Sequence, residues 1–109
     1  RLDPDQMHQV MINLLENAIH ALGDAFGQIT VRLSHDSVLK IARLECADTG
    51  HGISAEDKLR IFEPYYSTKL KGTGLGLAIV AGIVADHNGF VRVRDNDPRG
   101  TVITVELPG

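Results

Sequence analysis

Between Asp5 and Leu22 the apolar residues Met7, Val10, Met11, Leu14, Leu15, Ala18 and Leu22 return every third or fourth position, the spacing that lines one face of an α-helix. Pro4 is tolerated at a helix start and Gly23 suits its end, so the pattern predicts an amphipathic helix. The period then falls to two. Gln28-Ile29-Thr30-Val31-Arg32-Leu33 alternates, and Val38 to Ala47 is a second β-rich run, with His35-Asp36-Ser37 as the turn of an antiparallel hairpin. Ser54 with Glu56 and Asp57 opens a short helix predicted to end near Phe62, and Pro64 closes it. Tyr65 to Gly74 is polar and glycine-bearing, the composition of a mobile loop. Leu75 to His87 is apolar on nearly every face and reads as a buried helix that Gly89 ends. Phe90 to Arg94 and Thr101 to Glu106 alternate as two more strands around the Asp95-Asn96-Asp97-Pro98-Arg99-Gly100 turn.

This order lacks the strand-helix alternation of a doubly wound sheet and predicts an α+β two-layer sandwich, a mixed or antiparallel sheet with helices on one face. The 109 residues make one domain, spanning 1–109, and no repeat or linker divides them. The net charge of −3 supplies no overall positive field for nucleic acid or anionic lipid, so any basic site is local. Cys46 is the single cysteine, which excludes an internal disulfide and fits a reducing, cytoplasmic compartment. The longest apolar run, Leu75 to Ala85, falls short of the roughly 18–20 residues that cross a bilayer, so no membrane contact is expected. The chain opens at Arg1 without an initiator methionine and reads as a domain of something longer, whose parent is open to a membrane anchor elsewhere.

Three constellations can carry chemistry. Asn13, Glu16, Asn17 and His20 share one helical face; this is either a solvated stripe or, with two amides beside a carboxylate, a set of oxygen ligands for Mg²⁺. Asp48-Thr49-Gly50-His51-Gly52-Ile53 is either a plain strand-to-helix turn or a ligand contact, in which glycines admit a close approach and the carboxylate accepts from an exocyclic amine such as that of adenine. Gly72-Thr73-Gly74-Leu75-Gly76-Leu77 opens the apolar helix, where free N–H groups and the helix dipole favour phosphate. It is neither a dinucleotide fingerprint nor a Walker loop, since Leu77 replaces the third glycine and no Gly-Lys-Ser/Thr follows. Lys69 and Lys71 precede it, either as solvated charges or as groups able to swing onto phosphate.

In this order the pieces resemble the catalytic ATP-binding domain of bacterial sensor histidine kinases, in the superfamily that includes gyrase, the heat-shock-ninety chaperone and the mismatch-repair ATPases. Asn13-Leu14-Leu15-Glu16-Asn17-Ala18 is similar to the asparagine box and Asp48 to Ile53 to the first glycine box. Phe62-Glu63-Pro64-Tyr65-Tyr66-Ser67-Thr68-Lys69 is similar to the phenylalanine box and Gly72 to Leu77 to the second glycine box. Arg99-Gly100-Thr101 is similar to the last glycine motif, and the Tyr65 to Lys69 and Ala21-Leu22 forms look most like the nitrogen-regulation branch. The resemblance implies a Bergerat-fold sandwich with a left-handed crossover, mostly antiparallel, with about three helices on one face and ATP beneath a lid.

It also implies roles. Asn17 would ligate Mg²⁺, with Asn13 and Glu16 in support. Asp48 would read the adenine amine, with Gly50, Gly52 and Ile53 around the ring and Thr101 near the base. Phe62 and Tyr66 belong to the lid, which Phe62 would anchor, and Lys69 would reach the terminal phosphate. Gly72, Thr73, Gly74, Leu75, Gly76 and Leu77 would wrap the phosphates. His20 stands where many relatives carry a lysine or arginine, which moves weight to Lys69. In the hydrolysing relatives a glutamate stands four residues before the magnesium-binding asparagine; here it is Asn13, which has no basic lone pair, so a water-activating switch is disfavoured.

The resemblance therefore implies transfer of the γ-phosphoryl group to a histidine on a separate dimerisation domain, with a response regulator as the indirect partner. None of His8, His20, His35, His51 and His87 sits in the acceptor's His-Glu context, so the domain alone, expected to be a monomer, would bind ATP or ADP without its substrate. The alternative is a nucleotide-binding conformational module without phosphotransfer.

Overall fold

The computed structural model describes residues 3–24, 26–63 and 76–108. The elements run α1 (Pro4–Leu22), β1 (Ile29–Asp36), β2 (Ile41–Asp48), α2 (Ala55–Lys58), α3 (Gly76–Asp86), β3 (Phe90–Asp95) and β4 (Thr101–Pro108). The four strands form one sheet in the order β1-β2-β4-β3, and every pair is antiparallel. The expected α+β sandwich is therefore present, with a described sheet that is antiparallel throughout. β4 is inserted between the two strands of neither hairpin: it pairs with β2 on one side and β3 on the other, joining the two hairpins. Among the described residues no helix is long and apolar enough to cross a membrane.

Both long helices pack on one face of this sheet. Val10, Leu14 and Ala18 of α1 meet Val80, Ile83 and Val84 of α3 over Cys46 of β2 and Ile103, Val105 and Leu107 of β4, all buried. Period-3.6 and period-2 stripes meet here, which is why α1 and the central strands share one core. Burial in this core pushes the Cys46 thiol up to about 11, with the Asp48 charge adding to the effect.

The helix ends have specific causes. Asp3 caps α1 by accepting from the Asp5 and Gln6 N–H groups at 2.9 and 3.2 Å, ahead of Pro4 in the first turn. Gly23, at φ 60°, closes it through N–H bonds to the His20 and Ile19 carbonyls. Ser54 Oγ accepts from Asp57 N–H at 3.1 Å, but α2 is a single turn ending at Lys58, and turns carry the chain on to Phe62. α3 ends on Asn88, not Gly89. Asn88 takes the left-handed conformation at φ 61°, its N–H reaches Ala85 O and that of Gly89 reaches Val84 O, a Schellman closure. Gly89 is required for a different reason: a Cβ there would overlap Glu106 O of β4.

The first hairpin turns later than expected, at Ser37 to Lys40, because Asp36 Oδ1 accepts from both Val38 and Leu39 N–H at 2.9 Å and Lys40 adopts φ 57°. The apolar pair Val38-Leu39 is thus an exposed turn and not part of β2.

Candidate functional site

The polar stripe of α1 divides into three environments. Asn13 is buried and both poles of its amide are committed: Nδ2 donates to Gly76 O at 3.0 Å and Oδ1 accepts from Gln9 Nε2 at 2.8 Å. This bond fastens α1 to the first residue of α3. Asn17, one turn on, is half-buried and makes no side-chain hydrogen bond to a described residue, which leaves its amide oxygen available to a ligand. Glu16 and His20 are exposed.

The Asp48 carboxyl lies at the end of β2 and is only 2% exposed. Its Oδ1 accepts from Gly50 N–H at 2.8 Å, and the Thr101 N–H of the paired strand also faces it. Burial raises its pKa above the ordinary carboxylate value, opposed by the Gly50 and Thr101 N–H groups and by His51. Among the described residues no lysine or arginine forms an ion pair with it. A carboxylate held this way, by backbone N–H groups in a dry setting, keeps acceptor capacity for one more donor.

The glycines around Asp48 are there for close approach. Gly50 is buried against the C-terminal turn of α1, where a Cβ would overlap the Ala21 backbone, and His51 N–H donates to Ala21 O at 3.2 Å. Gly52 takes φ 81°, a left-handed conformation that other residues rarely adopt. Ile53 is half-buried, and its carbonyl accepts from Lys58 Nζ at 3.4 Å while that same Nζ pairs with Asp95 Oδ1 at 2.6 Å. On the far side, Asn96 Nδ2 donates to Asp48 O and Arg99 Nε to Gly50 O, each at 2.8 Å. Gly100, at φ 106°, presses its Cα against the Asp48 carbonyl, where a Cβ would overlap.

Four expected segments are thus joined by direct contacts: Asn13 with Gly76, the end of α1 with Gly50 and His51, and Asp48 with Thr101, which is itself buried. Phe62 and Leu77 are half-buried and pack against the core, and Gly76 is exposed at the start of α3, where unpaired N–H groups collect. Tyr66, Lys69, Lys71, Gly72, Thr73, Gly74 and Leu75 lie outside the described residues. Sequence reasoning passed over Asn96 as an ordinary turn residue. An asparagine four residues before a glycine at a strand start was the available signal, but nothing in the sequence says which carbonyl it meets.

The family model of histidine kinase-, DNA gyrase B- and HSP90-like ATPases matches residues 2–109. The chain is 42% identical over 106 residues to the sensor histidine kinase ZraS of Salmonella typhi, covering 97% of this chain and 22% of that protein. It is 40% identical over 119 residues to the sensory histidine kinase/phosphatase NtrB of Rhodobacter capsulatus, covering 97% and 32%, in keeping with the nitrogen-regulation resemblance. The nucleotide-free catalytic domain of the histidine kinase ThkA superposes with a TM-score of 0.87 at 35% identity, covering 98% of this chain and 68% of that one. The chain spans between about a fifth and a third of the length of these two curated relatives. With a family model over nearly its whole length and these likenesses in sequence and fold, the chain belongs to the histidine kinase-, DNA gyrase B- and HSP90-like ATPase family, as an ATP-binding catalytic domain of the sensor histidine kinase type.

Proposed function

We propose that this domain binds Mg-ATP and presents its γ-phosphoryl group to a histidine on a separate dimerisation domain of the same kinase, in the cytoplasm, with a response regulator downstream. One observation carries the reading: a buried carboxylate with no lysine or arginine paired to it among the described residues, held open by two backbone N–H groups at Asp48. A structural carboxylate at that depth would ordinarily have a lysine or arginine beside it, because burying an unpaired charge costs several kcal/mol by order of magnitude. The exocyclic amine of adenine, donating to Asp48, recovers part of that cost only when bound. Gly50, Gly52, Ile53 and Thr101 would surround the base.

The donor set on α1 suits magnesium. A hard cation takes oxygen ligands and keeps several waters, and the uncommitted amide oxygen of Asn17 is such a ligand, with Glu16 near in sequence to hold a water. Bound there, the ion would neutralise charge on the phosphates. Asn13, whose amide is spent on Gly76, would act by holding the start of α3 against this helix. Gly72 to Leu77 would offer N–H groups to the phosphates, Lys69 would meet the terminal one, and Phe62 and Tyr66 would seat the lid.

Phosphoryl transfer needs little covalent work from the protein; positioning and charge neutralisation dominate. An acceptor imidazole nitrogen forms the new bond to the γ-phosphorus as the bond to the β–γ bridging oxygen breaks, and ADP leaves with that electron pair. With an amide at Asn13 that position supplies no general base to activate water, so the phosphoryl group waits for the imidazole.

Joining this domain to a dimerisation domain that bears the acceptor histidine should give histidine labelling from γ-labelled ATP, while the domain alone binds nucleotide and labels nothing. Tight ATP binding by the joined protein with no labelled histidine would favour a conformational module instead, and steady hydrolysis by the isolated domain would favour a switch.

A further inference from the structure

We infer that Asn96 and Arg99, on the β3–β4 turn, are positioning residues that set the purine selectivity of the Asp48 site by clamping the two peptide units on either side of its carboxyl. The inference rests on the reading of Asp48 as the base-binding group.

The regular ladder between β2 and β4 ends at the Asp48–Thr101 pair, so the backbone beyond it has no sheet to hold it. It is held instead peptide by peptide. The 48–49 unit donates through Thr49 N–H to Gln28 O at 3.1 Å and accepts at Asp48 O from Asn96 Nδ2 at 2.8 Å. The 50–51 unit donates through His51 N–H to Ala21 O at 3.2 Å and accepts at Gly50 O from Arg99 Nε at 2.8 Å. Each flanking unit is thus pinned at both ends, once by fixed backbone and once by a side chain of the same turn. The unit between them contributes the Gly50 N–H that fixes the Asp48 carboxyl at 2.8 Å. Free rotation of either flanking plane would swing that N–H and the carboxyl together. Gly100 lets the turn sit close enough for both side chains to reach, since a Cβ there would overlap Asp48 O.

Arg99 is exposed, so its bond to Gly50 O satisfies no buried guanidinium. Its consequence is orientation. A carboxylate whose acceptor lobe is aimed at an amine discriminates against a ring carbonyl at the same place; one that wanders discriminates less.

The test measures calorimetric Kd values for Mg-ATP, Mg-GTP and inorganic tripolyphosphate, with the melting temperature of the nucleotide-free protein, for the wild type, Arg99→Met, Asn96→Leu and Asp48→Asn. Loss of one such hydrogen bond should weaken ATP binding roughly 2- to 12-fold for either clamp variant. GTP binding should change little, so the ATP/GTP ratio shrinks, while tripolyphosphate affinity and the melting temperature of Arg99→Met stay at wild-type values. ATP binding within twofold of wild type and an unchanged ratio in both clamp variants would overturn the inference while leaving the Asp48 reading intact. So would a parallel loss of tripolyphosphate binding, which would make Arg99 a direct phosphate contact, or a loss that follows the melting temperature. Wild-type ATP affinity in Asp48→Asn would remove the base-binding reading itself, and the inference with it.

Discussion

Glu45 and Asp48 stand three residues apart on β2 and live in opposite electrostatic worlds. Glu45 points to the open face of the sheet, where Arg32 and Arg94 approach it at 3.6 and 3.5 Å; Glu106 on β4 is shared in the same way by Arg43 and Arg92 at 2.7 and 2.9 Å. Asp48 points under the helices and has backbone N–H groups for company. The odd spacing decides this, because successive residues of a strand face opposite sides. On the open face carboxylates are satisfied by cations within the domain, four arginines to two glutamates, and that lattice is complete without a ligand. Beneath the helices the carboxylate is buried, its proton affinity raised, and its remaining acceptor capacity unspent. The difference teaches that an acid left available to a ligand is recognised by the partner it lacks.

The comparison breaks most severely at Gly100. Gly100→Ala must adopt a left-handed φ of 106° and press a methyl into Asp48 O, so the variant should lose about 2–4 kcal/mol of stability in denaturant titration, with ATP binding lost alongside.

Asp48→Asn comes next. It removes a charge-assisted bond worth about 1.5–3 kcal/mol, so ATP affinity should fall roughly 10- to 150-fold by calorimetry. Its stability should move the other way with pH. Because the native pKa of Asp48 is raised, its proton favours folding at pH below about 4, and that contribution is lost as pH rises through the native value. Asparagine has no such titration. The melting temperature of the variant should therefore gain on the wild type as pH increases from about 4 towards neutrality, and a constant difference across that range would contradict the burial of an unpaired charge.

Glu106→Gln sharpens the other side. Its partners Arg43 and Arg92 are partly solvated, so the cost should be about 0.5–1 kcal/mol by thermal unfolding, less at high salt, and nucleotide affinity should stay unchanged. A large loss of ATP binding there would mean that the open face is coupled to the Asp48 turn.

Most elements were legible because their causes are local. The three- and four-residue recurrence from Met7 to Leu22 needs only a helix to explain it, and the alternation from Thr101 to Glu106 only a strand. The misreadings were also local competitions. Asp36 took two turn N–H groups and moved the hairpin turn onto Val38-Leu39, and Asn88 took the left-handed closure of α3 from Gly89. In both cases one side chain or one dihedral angle outweighed a composition signal.

The sequence by itself determined the order of elements, the α+β class, the faces of α1 and the strands, and, through the resemblance of its asparagine and glycine segments, the family. These follow from periodicity and from residue types whose chemistry acts over a few neighbouring positions. Only the tertiary structure decided that β4 joins the hairpins, that Asn13 spends its amide on Gly76 while Asn17 makes no described bond, and that Asn96 and Arg99 close on the carbonyls of Asp48 and Gly50. Those contacts link residues about fifty or more positions apart, and a bond at that separation depends on how the whole sheet and its helices pack, which no local pattern encodes.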